Sequence, residues 1–280
     1  MISARTRIAG VIGSPISQSL SPLLMNSWIE AANIDAAYIA LPATPEFSAD
    51  DLRSVARTGL TGVNVTGPFK EIAAAAANTL TETARLAGAV NLLRFEAGQI
   101  HGDNTDIAGI EYALRQCGLK FEGITVLVLG AGGAARAACV AASLGGACKI
   151  IVSNRTRSRA EGLDERYAFV SLCHWENRSR AAAGADLIIN ATSLGLDGSS
   201  DPGIDWSVCK PTAAAFDMIY TPLQRPFRTG AQNANLAFVD GLSMLIGQAE
   251  PAFETLFGVS VPNCVDANTL LGKALENAAL

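Results

Sequence analysis

Few side chains in this 280-residue sequence can move a proton near neutral pH. There are two histidines, His101 and His174, and lysines at 70, 120, 149, 210 and 273. Two histidines exclude HExxH and multi-histidine metal centres, so no metal is expected, and they leave little room for a serine–histidine–aspartate triad. Among the lysines, Lys70 alone follows a cluster of polar groups at a strand end. It closes Gly62-Val-Asn64-Val-Thr66-Gly-Pro-Phe-Lys70, an apolar strand pattern that turns polar and then opens a helix. A lysine in a helix's first turn is ordinarily unfavourable, because it opposes the macrodipole.

Two further clusters have a similar character. In Ser19-Leu-Ser21-Pro22, Ser21 reads as an N-cap with proline at the first helical position. Two hydroxyls at a helix start suit a small carboxylate. A cap explains Ser21 but leaves Ser19 over. The segments Gly88-Ala-Val-Asn91 and Gly102-Asp-Asn104-Thr105-Asp106 put an amide and a carboxylate at the ends of two neighbouring elements. Turn and cap chemistry accounts for Asp103 or Thr105.

A third kind of chemistry is written into Val126-Leu-Val-Leu-Gly130-Ala131-Gly132-Gly133-Ala134-Ala135-Arg136. This is strand, G-x-G-x-x-A, then helix. Gly130 permits the tight turn, Gly132 lets backbone approach a pyrophosphate at the helix N-terminus, and Ala135 allows close helix–strand packing. The next strand would end in Asp or Glu if it gripped the ribose hydroxyls of NAD. It reads instead Ser153-Asn154-Arg155-Thr156-Arg157-Ser158-Arg159. Guanidinium forks suit a 2′-phosphate, so the cofactor expected is NADP. At least one of the three arginines is expected to be merely a solvated helix start.

The elements that must position these groups alternate between strand-like and helix-like runs, which argues for an α/β fold with parallel sheets. Strands are expected at 7–13, 36–41, 62–66, 89–95, 99–102, 124–129, 149–153, 186–190, 214–217 and 236–239. Helices are expected at 22–32, 45–57, 69–78, 106–116, 134–144, 243–257 and 266–277. A fresh doubly wound unit begins near residue 105. Two domains follow: 1–105, onto which 241–280 packs back, and 106–240, the Rossmann unit.

Composition narrows the class further. Hydrophobic residues make up 49% and charged residues 17%, enough apolar material for two cores. The net charge of −5 argues against nucleic acid as a partner. The apolar runs are too short to cross a membrane, and the N-terminus lacks a cleavable apolar region. The six cysteines show no CxxC spacing and read as small buried hydrophobes in a reducing compartment, the cytoplasm.

The order of motifs along the chain resembles the shikimate dehydrogenase family. The matches are SxSP at 19–22, NVTxPFK at 64–70, GAVN at 88–91, NTD at 104–106 and GAGGAAR at 130–136. They continue with NRTxxR at 154–159, NATS at 190–193, DMIY at 217–220, DG at 240–241 and ML..Q at 244–248. The resemblance implies two α/β domains flanking a cleft, with the C-terminal helices returning to the first. It implies NADPH-dependent reduction of 3-dehydroshikimate to shikimate in aromatic amino-acid biosynthesis, by a monomer or homodimer. It implies Lys70 and Asp106 as the catalytic pair. Ser19, Ser21, Thr66, Asn91, Tyr220 and Gln248 would hold substrate with them. Gly130, Ala131, Gly132, Gly133, Ala134, Asn154, Arg155, Thr156, Arg159, Met218 and Gly241 would contact NADP, with Glu82 near the nicotinamide.

Departures from the family pattern are Gln18 for His, Gly67 for Val, Leu92 for Thr, Ile107 for Gly, Leu194 after NATS, and Arg225 where Thr is common. None removes a group the chemistry needs. The nearest alternative is a quinate/shikimate dehydrogenase of broader specificity; one from another class is a non-catalytic NADP-binding regulator, which the presence of both Lys70 and Asp106 disfavours.

Overall fold

A computed structural model describes residues 2–278, and all side chains among them except those of Asp164, Glu165 and Ala278. The chain divides into two compact units. The first runs through Gly109 and takes in residues 245–274; the second comprises residues 110–244 with the end of the last helix.

In the first unit, β1 (Arg7–Gly13), α1 (Ser21–Ala31), β2 (Ala36–Pro42), α2 (Ala49–Val55), β3 (Gly62–Val65) and α3 (Lys70–Ala76) alternate. Then come β4 (Thr79–Leu80), α4 (Glu82–Ala87), β5 (Leu92–Glu96), β6 (Gln99–Asp103) and α5 (Asp106–Gln116). The sheet order is β2-β1-β3-β5-β6-β4. This sheet is mixed, which corrects the all-parallel expectation: β3 pairs β5, and β5 pairs β6, antiparallel. The reversal is local in origin. Ala97 and Gly98 both take positive φ, 49° and 75°, giving the two-residue turn that joins hairpin strands. Leu52, Val63, Val65, Phe69 and Leu93 fill the core on one side of the sheet.

The second unit contains β7 (Thr125–Leu129), α6 (Gly133–Leu144), β8 (Lys149–Ser153), α7 (Arg157–Arg166), β9 (Val170–Cys173) and α8 (Arg178–Gly184). It continues with β10 (Leu187–Asn190), β11 (Ala214–Asp217), α9 (Pro226–Asn233) and β12 (Ala237–Asp240). The order β12-β11-β10-β7-β8-β9 is parallel throughout. This is the doubly wound Rossmann arrangement, whose ligands bind at the carboxyl ends of the strands beside the switch between β7 and β10. The strands are buried on both faces and read as continuous apolar runs.

Two helices complete the chain, α10 (Gly241–Phe257) and α11 (Ala267–Ala278). The later turns of α10 belong to the first unit because their aromatic residues are buried there. Phe253 meets Trp28 of α1 edge-on at 5.6 Å and Phe257 at 5.1 Å, and Arg7 donates to the Phe257 carbonyl at 2.9 Å. The cysteines differ from the sequence reading. All six are free, but only Cys139 is buried; Cys117, Cys148 and Cys264 are exposed at or beyond element ends.

Candidate active site

The first unit gathers its polar clusters at one end of its central strands. β1 and β3 are parallel neighbours, so the loops that follow them leave on the same side. Ser14 N–H donates to the Gly67 carbonyl at 3.2 Å and joins those loops. β5 and β6 run antiparallel to each other, so the start of β5 meets the end of β6, with Leu92 opposite Asp103. Asn91 and Asp106 are thereby brought beside Lys70. The Val90 N–H donates to the Lys70 carbonyl at 2.8 Å and fixes the start of α3 against that turn.

Lys70 and Asp106 form an ion pair, Nζ to Oδ2 2.5 Å, with side chains 14% and 5% exposed. Charges this dry attract each other far more strongly than at a surface, and a carboxylate removed from water needs its remaining lone pairs satisfied. Asn91 does this, donating through Nδ2 to Asp106 Oδ1 at 2.9 Å. The same amide reaches Thr105 Oγ1 at 2.9 Å and Gln248 Oε1 at 3.3 Å, and its Oδ1 accepts from the Thr105 N–H at 2.7 Å. Asn104 holds the segment from beneath: it donates to the Ala89 carbonyl at 2.8 Å and accepts from the Asp106 N–H at 3.1 Å. Lys70, Asn91, Asp106 and Gln248 thus form one connected cluster.

Sequence reading missed a deeper layer under this cluster. The Tyr38 hydroxyl donates to Asn64 Oδ1 at 2.7 Å, and Asn64 Nδ2 donates to the Asn91 carbonyl at 3.1 Å. Burial pushes the Tyr38 phenol well above its ordinary value, so it stays a neutral donor. An asparagine inside an otherwise apolar strand, Val63-Asn64-Val65, was the available signal. Ser21 needs a correction: it is buried as the first residue of α1, and Leu20 occupies the cap position without a side-chain bond. Ser21 lies inside the helix, and its N–H donates to Ser19 Oγ at 3.3 Å. Thr66 lies half-buried in the turn before α3, next to Gly13. Glu82 is exposed at the start of α4; its neighbour Thr81 caps that helix and donates to Asp103 at 2.5 Å.

In the second unit the turn after β7 has the form a dinucleotide needs. Gly130 takes φ +119°, and a Cβ there would sit 2.8 Å from the Ala191 carbonyl. A Cβ on Gly132 would meet nothing within 4 Å, so open space lies above the N-terminus of α6, which has no side-chain cap. Its free N–H groups are donors for a phosphate. Ala131 is buried, and Gly133 and Ala134 form the first turn. Buried Ser153 ends β8 where an acid would grip the ribose, and its Oγ has no partner among the described residues. Beyond it, Asn154 donates to the Thr156 carbonyl at 2.7 Å and shapes the turn into α7. Arg157 is committed to Glu161 at 2.6 Å, one helical turn on. Among the described residues, Arg155 and Arg159 are exposed and make no ion pair. A cavity here is lined by Asn154, Arg155, Arg157, His174 and Trp175. Sequence reading passed over His174 and Trp175 because strand β9, which ends beside them, was not recognised. These residues fit a dinucleotide carrying a 2′-phosphate.

The remaining predicted positions lie at the carboxyl ends of β11 and β12. Met218 and Tyr220 are half-buried in the loop after β11. Gly241 is buried against that loop, where a Cβ would meet the Met218 carbonyl at 2.5 Å. Among the described residues there is no cluster of three or more His, Cys, Asp or Glu side chains able to hold a metal.

Residues 11–93 match the profile of the shikimate dehydrogenase substrate binding domain, and residues 111–195 that of shikimate / quinate 5-dehydrogenase. A curated relative from Maricaulis maris, named shikimate dehydrogenase (NADP(+)), is 44% identical over 265 residues, covering 94% of this chain and 95% of its own. This chain belongs to the shikimate dehydrogenase family. Solved shikimate dehydrogenases share its fold along nearly the whole length. The Aquifex aeolicus structure superposes with a TM-score of 0.88 at 31% identity, covering 98% of this chain and 99% of that one. The Thermus thermophilus shikimate 5-dehydrogenase, solved with NADP(H) and shikimate, gives 0.83 at 33%, covering 98% and 100%. Against the shikimate dehydrogenase pattern, the departures Ile107 and Arg225 are both buried.

Proposed function

We propose that this chain catalyses the reversible NADPH-dependent reduction of 3-dehydroshikimate to shikimate. The observation that carries this reading is the buried Lys70–Asp106 pair, held by Asn91 and Gln248 in a chain of this family. Bound NADPH supplies a hydride to the keto carbon. Lys70 delivers the proton from its ammonium to the ketone oxygen as that oxygen becomes a hydroxyl, and takes it back in the oxidation direction. Asp106 holds Nζ in place through Oδ2, and its other oxygen is fixed by the Asn91 amide. Thr66, Asn91 and Gln248 offer the amide and hydroxyl partners that orient ring hydroxyls, and Ser19 and Ser21 take the carboxylate. Tyr220 is the substrate contact contributed by the loop after β11.

For the cofactor, the open turn over Gly132 receives the pyrophosphate, and Arg155 and Arg159, which make no ion pair among the described residues, take the 2′-phosphate. Asn154, Thr156, Met218, Gly241 and Glu82 complete the assigned contacts. The domain roles follow: residues 1–105 with 241–280 bind substrate, and 106–240 bind NADP. Six free cysteines, five of them outside the core, suit a reducing compartment and support a cytoplasmic location. Among the described residues no helix is long and apolar enough to cross a membrane.

Initial rates on shikimate and on quinate, each with NADP+ and with NAD+, test the proposal. Shikimate with NADP+ should give the highest kcat/KM. A higher value on quinate would move the assignment to the broader quinate/shikimate activity, and no turnover on either acid would overturn it. Sedimentation of the purified protein distinguishes monomer from homodimer.

A further inference from the structure

Arg225 is the one arginine whose side chain is fully buried among those in ion pairs of the described residues, and every nitrogen of its guanidinium is used. Nε donates to Asp217 Oδ2 at 2.6 Å. Nη1 donates to the carbonyls of Pro222 at 2.9 Å and Leu223 at 3.4 Å, and Nη2 to that of Ile219 and to Asp240 Oδ2 at 3.5 Å. Asp217 Oδ1 accepts from Asn190 Nδ2 at 3.0 Å and from the Ile219 N–H at 3.2 Å. Asn190 also donates to the Leu194 carbonyl at 3.1 Å, and Asp240 accepts from Arg228 at 2.9 Å and the Leu242 N–H at 2.9 Å. The buried fork therefore fastens the loop after β11 to the ends of β11 and β12, and Asn190 ties the loop after β10 to the same Asp217.

A buried ion pair is a poor source of net stability, because desolvation offsets the attraction. What this one has that an apolar core lacks is direction: three carbonyls of residues 219–223 are drawn onto a single planar group. That segment carries Tyr220, and Met218 stands next to it. We propose that Arg225 is a positioning residue for the reaction, acting through the Met218–Gln224 loop to hold Tyr220 for the substrate. The inference rests on the substrate role given to Tyr220 above.

Arg225→Lys tests it, since an ammonium keeps the charge but cannot reach both carboxylates and the carbonyls together. With shikimate and NADP+, kcat/KM should fall about tenfold or more, with KM for shikimate raised. The Kd for NADP+ by calorimetry should change less than the KM for shikimate, because the phosphate contacts lie at the starts of α6 and α7 and Met218 is the one assigned NADP contact in this loop. In a Tyr220→Phe background the same substitution should cost much less, a coupling that general loosening of the fold would not produce. Amide exchange across Met218–Gln224 should quicken, with β7 and β8 unchanged. Unchanged kcat/KM in the folded variant, an equal penalty in both backgrounds, or unchanged exchange in that loop would overturn the proposal. Should Arg225→Lys fail to fold, Asp240→Asn removes a partner at a quarter-exposed site and is read the same way. Wild-type protein inactive on shikimate would sink the functional reading, while the exchange measurement still decides whether Arg225 holds the loop.

Discussion

Asn91 offers two amide protons to three acceptors, Thr105 Oγ1, Asp106 Oδ1 and Gln248 Oε1. The arrangement works because Thr105 can also donate, to Asn91 Oδ1 at 3.2 Å or to Gln248 at 3.4 Å. Asn91, itself held by Thr105 and Gln248, therefore fixes the carboxylate that fixes the Lys70 ammonium. Both histidines have other partners: His101 bonds Thr79, and His174 meets Arg157. Lys70→Ala should lower kcat by about 10²–10⁴, the usual share of general acid–base catalysis, with KM changed far less. Asp106→Asn should lower kcat as well. The double variant should fall short of the product of the two losses, since the pair acts as one unit. Steady-state kinetics with folding checked by circular dichroism decides the matter, and near wild-type kcat in folded Lys70→Ala sinks the mechanism.

At the scale of elements, the start of α7 separates its three arginines by what each is already doing. Arg157 spends its charge on Glu161, whereas Arg155 and Arg159 have no counter-ion among the described residues. Two cations at a helix N-terminus without a counter-ion are mildly destabilising, and a bound phosphate reverses that. Replacing both Arg155 and Arg159 by Ala should raise KM for NADP+ tenfold or more, at about 1.5–3 kcal/mol per charge-assisted bond, and leave KM for NAD+ nearly unchanged. Arg157→Ala should have a much smaller effect. Equal changes for both cofactors would refute the 2′-phosphate assignment. The same elements show what a single sequence discloses. β7, β8, β10 and β11 were legible because strands buried on both faces are unbroken apolar runs between turn residues. α8 and α9 were not, because Ala182 is the buried residue of one and Phe227 and Ala231 of the other, too few to mark a helical period. β9 is four residues long, and β4 is two. The Lys70 cluster was legible as polar residues at element ends. Arg225 was not: an arginine in a Pro-rich loop reads as solvated, and its partners are backbone carbonyls and two strand-end carboxylates that only the parallel register brings together.

For the whole molecule, the folded state holds several carboxylates in forms the unfolded chain does not. Asp197 is lowered to about 2, chiefly by the N–H groups of Ser200 and Ser199. Asp186 is lowered by Lys210 and the Thr125 N–H, and Glu122 by Lys120. In the first unit Asp51 is lowered by the Ser48 cap, and Asp266 by Thr269. A group whose folded pKa is depressed contributes stability above its unfolded value, near 3.9 for Asp, and loses it as pH falls toward the folded value. Asp217 has the opposite sign: burial raises it, against the pull of Arg225, so its protonation in acid favours the folded state. Five groups of one sign against one of the other should make stability fall with acid in both units. Urea unfolding midpoints should stay nearly level from about pH 7 to pH 5 and then drop between about pH 4 and pH 2. Trp28 reports the first unit, and Trp175 and Trp206 the second, so single-tryptophan variants separate the two transitions. Asp197→Asn should lower the second unit's midpoint at neutral pH, shrink its acid-side drop, and leave the Trp28 transition where it was. A wild-type midpoint at pH 3 equal to that at pH 6, or an Asp197→Asn protein with the full acid-side drop in its second unit, would show that these carboxylates do not govern the acid limit.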